Sequence, residues 1–395
     1  MRKRLENFLK VSKQLPSLPS HHAYAVLKSS LGVCQLTSTL RSAPCNESPI
    51  VEEIDCAIKD TLEGIINGKL TNDADLQTSL PIKMGGMAIL KAKQHCEAAY
   101  ISSFESSKTL YNCNLESSAL TSVVNDWKLK SQGATVEDFS SQRELMQPIF
   151  DNNFAALKSS TSNLNISRLT SCSHSFSGDW LHCLPSKHLG LFLSNEEFRL
   201  CTCLRLGLPF FQPHKCVCSS EIDSFGAHCF ACNRNNSKIL RHSMINEVLS
   251  RALKSAGCPN ILEPSYMEDN KRPDGITTIL FRNGLPLAWD FTCCHPLLPS
   301  AISTNQCLSG LANEREKRKI VKYESISQDF DFRAIAIDTI GAYGSSAQKT
   351  VQEVGKRIKE MTGCTESTNF LRQRLSITVQ KGNCLSLNFA LKRQL

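Results

Sequence analysis

Apolar residues recur at helical spacing early in the chain and at strand spacing late in it. In VEEIDCAIKDTLEGIING, Val51, Ile54, Ile58, Leu62 and Ile65 form one stripe, and Asn67-Gly68 supplies a stop. LPIKMGGMAIL (80–90) breaks that pattern with a Gly85-Gly86 turn, and ILKAKQHCEAAYISSF resumes it. Residues 1–130 therefore read as an all-helical region. Residues 156–178 are rich in Ser, Thr and Asn, so the stretch 131–178 reads as a linker.

The second half has a different order. RHSMINEVLSRALKSAG puts Ile245, Val248, Leu249, Ala252 and Leu253 on one helical face, with Gly257 as the stop. NILEPS (260–265) predicts a short strand. GITTILF and PLAWDFTCC flank Arg282-Asn283-Gly284, and Asn-Gly between β-formers predicts a hairpin. LANEREKRKIVKYESI is a charged helix and FRAIAIDT a compact strand. SSAQKTVQEVGKRIKEM is a further helix, with Val351, Val354, Ile358 and Met361 on one side. Helix, three strands, helix, strand, helix predicts an α/β arrangement (α+β over the whole chain), a mixed sheet flanked by helices over residues 237–363. Residues 179–236 lead into it as a Cys-rich linker segment. Residues 364–395 carry no readable signal and are assigned as a C-terminal extension.

Composition adds partners and compartment. The 395 residues are 41% hydrophobic and 21% charged, with a formal charge of +8. From residue 236 onward there are 22 Lys+Arg against 15 Asp+Glu, so most of the excess lies there. A basic segment suits a polyanion such as DNA or RNA. The N-terminus, MRKRLENFLKVSKQLPSLP, lacks the apolar run of a secretory signal, and no window of eighteen apolar residues predicts a membrane span. Nineteen cysteines are then expected as buried thiols in a reducing, intracellular compartment, most simply the nucleus.

One cysteine cluster has metal-ligand spacing. HKCVCSSEIDSFGAHCFAC contains Cys216, Cys218, His228 and Cys232, a Cys3His set for structural Zn2+, with Cys229 and His214 as alternative ligands. The hairpin carries the second candidate site. Asp274 enters its first strand and Asp290 lies toward the end of its second, so folding at Asn283-Gly284 brings them roughly opposite. Aspartate is depleted in strands. Two adjacent carboxylates raise each other's pKa unless a cation such as Mg2+ intervenes. Lys317, Lys319 and Lys322 on the charged helix are candidate lysines, and Lys319 and Lys322 share a face. Glu247 and Glu263 are possible third carboxylates.

Together these residues resemble the restriction-like endonuclease region of site-specific non-LTR retrotransposons, members of the PD-(D/E)xK nuclease superfamily. The matching order is Cys216, Cys218, His228 and Cys232; Arg241-His242-Ser243; Glu263-Pro264; Pro273-Asp274; Asp290; and Lys319, Lys322 and Tyr323. It covers roughly residues 176–345. Ser243 stands where that family has Asn, and Thr292 stands where the wider superfamily has Lys. Residues 1–130 resemble, more weakly, the thumb segment after the polymerase palm of such elements, on Leu80-Pro81 and Gly85-Gly86. The resemblance implies that Asp274 and Asp290 bind catalytic Mg2+ and that a helix lysine, Lys319 or Lys322, serves the site.

The expected function is thus a retroelement-derived, metal-dependent DNA endonuclease behind a zinc knuckle. Arg241, His242, Lys271, Arg272 and Tyr323 are the expected nucleic-acid contacts. The alternative is a catalytically inactive, nucleic-acid-binding relic of the same polyprotein.

Overall fold

The computed structural model describes residues 1–111, 117–159, 161–265 and 272–391. The chain divides into two units, Met1–Thr161 and Ser162–Leu395. No helix among the described residues is long and apolar enough to cross a membrane.

The first unit is helical. Its Pro49–Ile66 helix buries Val51, Ile54, Ile58, Leu62 and Ile65, and stops where Asn67 turns left-handed at φ 48°. Asp55 leaves that helix to accept the Ala92 and Lys93 N–H groups at 2.6 and 3.0 Å, capping the Ala92–Tyr111 helix. Burial pushes the Asp55 carboxyl up to about 6, against those two backbone hydrogen bonds.

The second unit is built on a four-stranded sheet of order β3-β4-β5-β6. Its strands are β3 (Asn260–Leu262), β4 (Gly275–Arg282), β5 (Leu285–Cys294) and β6 (Asp331–Asp338). β3, β4 and β5 run antiparallel, and β5 pairs with β6 in parallel. Asn283 and Gly284 both have positive φ, 50° and 77°, as a tight hairpin turn requires. Trp289, Phe291, Ile335 and Ile337 pack beneath three helices, Ser237–Ser255, Ser345–Thr362 and Ser367–Leu391. Alternate residues face the other way: Ala288 packs with Tyr323, which follows the Gly310–Lys322 helix. Glu316 fixes that helix's rotation, because its buried carboxylate accepts the Ser346 and Ala347 N–H groups at 2.8 Å each.

Three boundaries differ from the sequence reading. Residues 131–178 are not a linker: they contain the Gln142–Ser159 helix of the first unit and the Asn163–Cys172 helix of the second. The 167–172 part of the latter is buried despite its hydroxyls, because those of Ser167 and Ser171 have partners inside. Ser171 Oγ donates to Asp338 at 2.6 Å, and Asn305 Nδ2 reaches Ser167 O and Ser171 Oγ at 3.0 Å. Residues 179–236 likewise belong to the second unit, through the buried Asn195–Leu206 helix. The 364–395 extension is mostly the Ser367–Leu391 helix, whose Leu371, Leu375 and Val379 complete the core.

Candidate active site and metal centre

The register Gly275↔Trp289 and Ile276↔Ala288, carried one step further, sets Asp274 opposite Asp290. The Asp274 N–H donates to Trp289 O at 2.9 Å, and its carbonyl accepts the Glu263 N–H at 2.8 Å, so the residue is held at both ends. Gly275 is required beside it, because a Cβ there would collide with the Trp289 ring.

Asp274 sits at the end of a hydrogen-bonded chain. Trp289 Nε1, only a donor, points at Asn246 Oδ1 from 3.2 Å. The Asn246 amide nitrogen therefore faces His242 Nδ1, 3.3 Å away, leaving the proton on Nε2. His242 Nε2 is 3.0 Å from Asp274 Oδ2, which also accepts the Phe291 N–H at 2.6 Å. Mutual elevation of two carboxyls is therefore not what Asp274 experiences. Burial pushes its pKa up, but the hydrogen bonds from His242 and the Phe291 N–H prevail, and it lies below its ordinary value. His242 is raised in turn, first by its hydrogen bond to Asp274, against burial.

Asp290 is buried, and its Oδ1 accepts no aligned hydrogen bond. What it meets is the Lys319 ammonium, 2.6 Å away, contributed by the Gly310–Lys322 helix. That is an ion pair without hydrogen-bond alignment. Tyr323 closes the same side. Its hydroxyl donates to Arg272 O at 2.8 Å and accepts from Lys322 Nζ at 3.1 Å. Burial first, and then the neighbouring Asp290, raise the Tyr323 pKa. Thr292, two residues beyond Asp290, is half-buried on β5.

Other candidates lie elsewhere. Glu247 is exposed and paired with Arg251 at 2.7 Å, one turn along its helix. Glu263 is exposed and paired with Arg272 at 2.9 Å. Neither joins a metal-ligand group with the aspartates among the described residues. Arg241, expected on DNA, is buried: its Nη1 donates to Asn383 Oδ1 at 3.1 Å, and its guanidinium lies 5.9 Å from the Phe230 ring centroid. Tyr323 is buried too, so its ring contacts protein. Ser243 bonds back to Ile239 O at 3.1 Å, and Lys317 is exposed. Lys271 lies outside the described residues. Asn246 and Trp289 were missed; an Asn four residues after His242 on one helix was the available signal.

The second centre is better defined chemically. Strands β1 (His214–Lys215) and β2 (Glu221–Ile222) make a small hairpin whose turn carries Cys216 and Cys218. Ser219 sits there at φ 70°. A short helix, Ala227–Phe230, brings His228 back, and Cys232 follows. The ligand atoms of Cys216, Cys218, His228 and Cys232 lie within 4.8 Å of one another. Cys216 and Cys218 sulfurs are 3.6 and 3.7 Å from that of Cys232, and Cys218 Sγ is 3.0 Å from His228 Nε2. Zn–S bonds of 2.3 Å give a tetrahedral edge of about 3.8 Å. The group can therefore hold a zinc-like ion. Hydrogen bonds from Ser220 lower the Cys218 thiol to about 6, favouring the ligating thiolate. Cys229 is not part of the group: burial pushes its thiol up to about 12. His214 turns Nδ1 to Gln212 O at 2.8 Å and its ring against Phe211.

No protein-family model matches the chain, and no curated protein matches it either.

Proposed function

We propose that this chain is a divalent-metal-dependent DNA endonuclease of the restriction-like, PD-(D/E)xK kind, derived from the C-terminal part of a non-LTR retrotransposon polyprotein. One observation carries the reading: facing positions of one hairpin hold Asp274 and Asp290, and a helix lysine, Lys319, reaches Asp290 within 2.6 Å. Two carboxylates and a lysine are the minimal set for metal-assisted phosphodiester hydrolysis.

The residues fit Mg2+, which is usually held by one or two carboxylates and keeps several waters. Asp290 Oδ1 has no aligned hydrogen-bond donor but lies 2.6 Å from Lys319, which would turn aside to admit the ion, and Asp274 is preoriented by Phe291 and His242. Bound Mg2+ would supply acidified water and charge compensation on phosphate oxygens. Lys319, beside Asp290, can donate to the scissile phosphate or the attacking water. His242 orients Asp274 through Nε2. Exposed Arg272 and Lys322 meet the backbone of DNA, or of RNA, with salt-dependent affinity and no sequence choice of their own. A DNA substrate implies work in the nucleus. The zinc-like centre keeps the 213–235 segment folded.

A second reading has its own support. Each aspartate already has a protein partner, the His242 Nε2–H at Asp274 and the Lys319 ammonium at Asp290, so both carboxylates are held without metal. An inactive, nucleic-acid-binding relic would look like this. Nicking of supercoiled plasmid with Mg2+ decides between them. The nuclease reading expects cleavage by wild type, its loss in both Asp274→Ala and Asp290→Ala, and retained DNA binding. Salt-sensitive binding without cleavage by wild type establishes the relic; neither binding nor cleavage sinks both.

A further inference from the structure

A cavity of about 570 Å³ opens where the Ser237–Ser255, Ser345–Thr362 and Ser367–Leu391 helices meet the 188–189 loop. That volume is typical of small-molecule sites, which span roughly 300–1,000 Å³. Val248, Ala252, Ile358 and Leu371 make an apolar floor, and Leu189 and Phe370 expose 53% and 42% of their surface at its edge. At about 100° per residue, Val248, Arg251 and Ser255 lie on the far side of their helix from His242. The cavity is therefore separate from the aspartate site.

Two arginines stand at this apolar wall. Arg374 Nη1 donates to Leu189 O at 2.6 Å. Gly190, at φ +66°, makes room for it, because a Cβ there would strike the guanidinium. Arg374 has no carboxylate partner among the described residues and is half-buried. Burial, and then the charge of Arg251, hold its pKa below the usual arginine value. Arg251 uses Nε on Glu247, which leaves its terminal amino groups available. Two guanidinium groups converging on a greasy, half-open cavity repel each other, and an anion between them relieves both.

We propose that this cavity binds a small amphipathic anion, a ligand with an apolar body and one carboxylate, sulfonate or phosphate head. The body covers Val248, Ala252, Ile358 and Leu371, and the head is held in the forks of Arg251 and Arg374. A phosphate backbone alone would not use the apolar floor, which disfavours nucleic acid as the occupant. Because the site does not touch Asp274 or Asp290, it stands whether or not the chain is a nuclease.

Calorimetric titration of the full chain with decanoate, below its micelle concentration, tests this. A single decanoate per chain is expected, with decanol at least roughly tenfold weaker. Arg374→Met and Arg251→Met should each weaken decanoate by about tenfold, Val248→Trp should abolish it by filling the floor, and Asp274→Asn should bind as wild type. Thermal melting of each variant separates lost binding from lost folding, and the Arg251 and Val248 variants carry the test if Arg374→Met unfolds. No saturable decanoate binding, decanol binding equally well, or unchanged affinity in folded arginine variants overturns the proposal. So does displacement of decanoate by duplex DNA, which would make the arginine pair part of a nucleic-acid surface.

Discussion

The Lys319 ammonium lies 2.6 Å from Asp290 Oδ1, with the aspartate side chain 4% exposed and the lysine 28%. Removing the lysine leaves a buried carboxylate with no counter-charge. Breaking one side of a buried pair costs about 3–5 kcal/mol, and the partial exposure of Lys319 puts this case near the low end, about 3 kcal/mol. Lys319→Met should therefore lower the urea midpoint clearly, and Asp290→Asn added to it should recover most of the loss. An equally stable Lys319→Met protein would mean that the pair does not hold Asp290 in place.

Arg241 gives the opposite expectation from a surface arginine. It is buried between Phe230 and Asn383, and the alkyl part of its side chain packs where Gly382 has no Cβ. Arg241→Ala should cost about 2 kcal/mol of stability through lost packing and a stranded Asn383 carbonyl. DNA affinity of the fraction that remains folded should hardly change. A variant that melts like wild type but binds DNA with a shallower salt dependence would restore Arg241 to the interface.

These cases show how far the residues alone could be read. Asn283-Gly284 dictates the hairpin turn, so a rough approach of Asp274 and Asp290 was legible, but their exact opposition was not: the turn pairing Arg282↔Leu285 carried outward would set Asp274 against Cys293, and two register shifts between the turn and Gly275 bring Asp290 there instead. The choice between Lys319 and Lys322 was not. Both lie on one helix face, and the helix's rotation is set by Glu316 capping a helix that starts 29 residues later in the chain, at Ser345. Arg241 and Tyr323 look like surface side chains by type. Their burial depends on partners distant in sequence, Asn383 and the Arg272 carbonyl, which no local pattern reveals. The hydroxyl-rich 163–172 segment fails as a linker for the same reason: Asp338 and Asn305 satisfy it from inside.

Asp338 predicts a pH dependence. It is fully buried and accepts Ser171 Oγ at 2.6 Å and the Gly341 and Ala342 N–H groups at 2.7 and 2.9 Å. Burial outweighs these bonds and pushes its carboxyl up to about 6. A folded-state pKa above the unfolded value means the native state binds the proton more tightly. The resulting stability is full below the unfolded pKa of about 4 and is lost as pH rises through about 6. Relative to Asp338→Asn, wild type should therefore be more stable at pH 4 than at pH 7 by on the order of 2 kcal/mol. Urea curves at four pH values check it; parallel pH profiles for the two proteins would show that Asp338 stays ionised throughout.

The metal centre yields the last prediction. Four ligand atoms already stand within 4.8 Å of one another, on two strands of two residues each and a short helix whose anchors are a few side chains, Ile222 and Phe230 among them. Such a segment depends on its ion for folding energy. The purified chain should carry close to one zinc by elemental analysis. Cys216→Ser and His228→Ala should lose it, while Cys229→Ser should keep it, because that thiol is buried with its pKa at about 12 and lies outside the group. Chelation should raise hydrogen exchange across residues 213–235 and leave the β4–β5 hairpin protected, since the Trp289–Phe291 core beneath that hairpin includes no ligand of the centre. A chain without zinc, or a Cys216→Ser variant with an unchanged zinc content, would leave the close approach of these four side chains as mere packing of thiols.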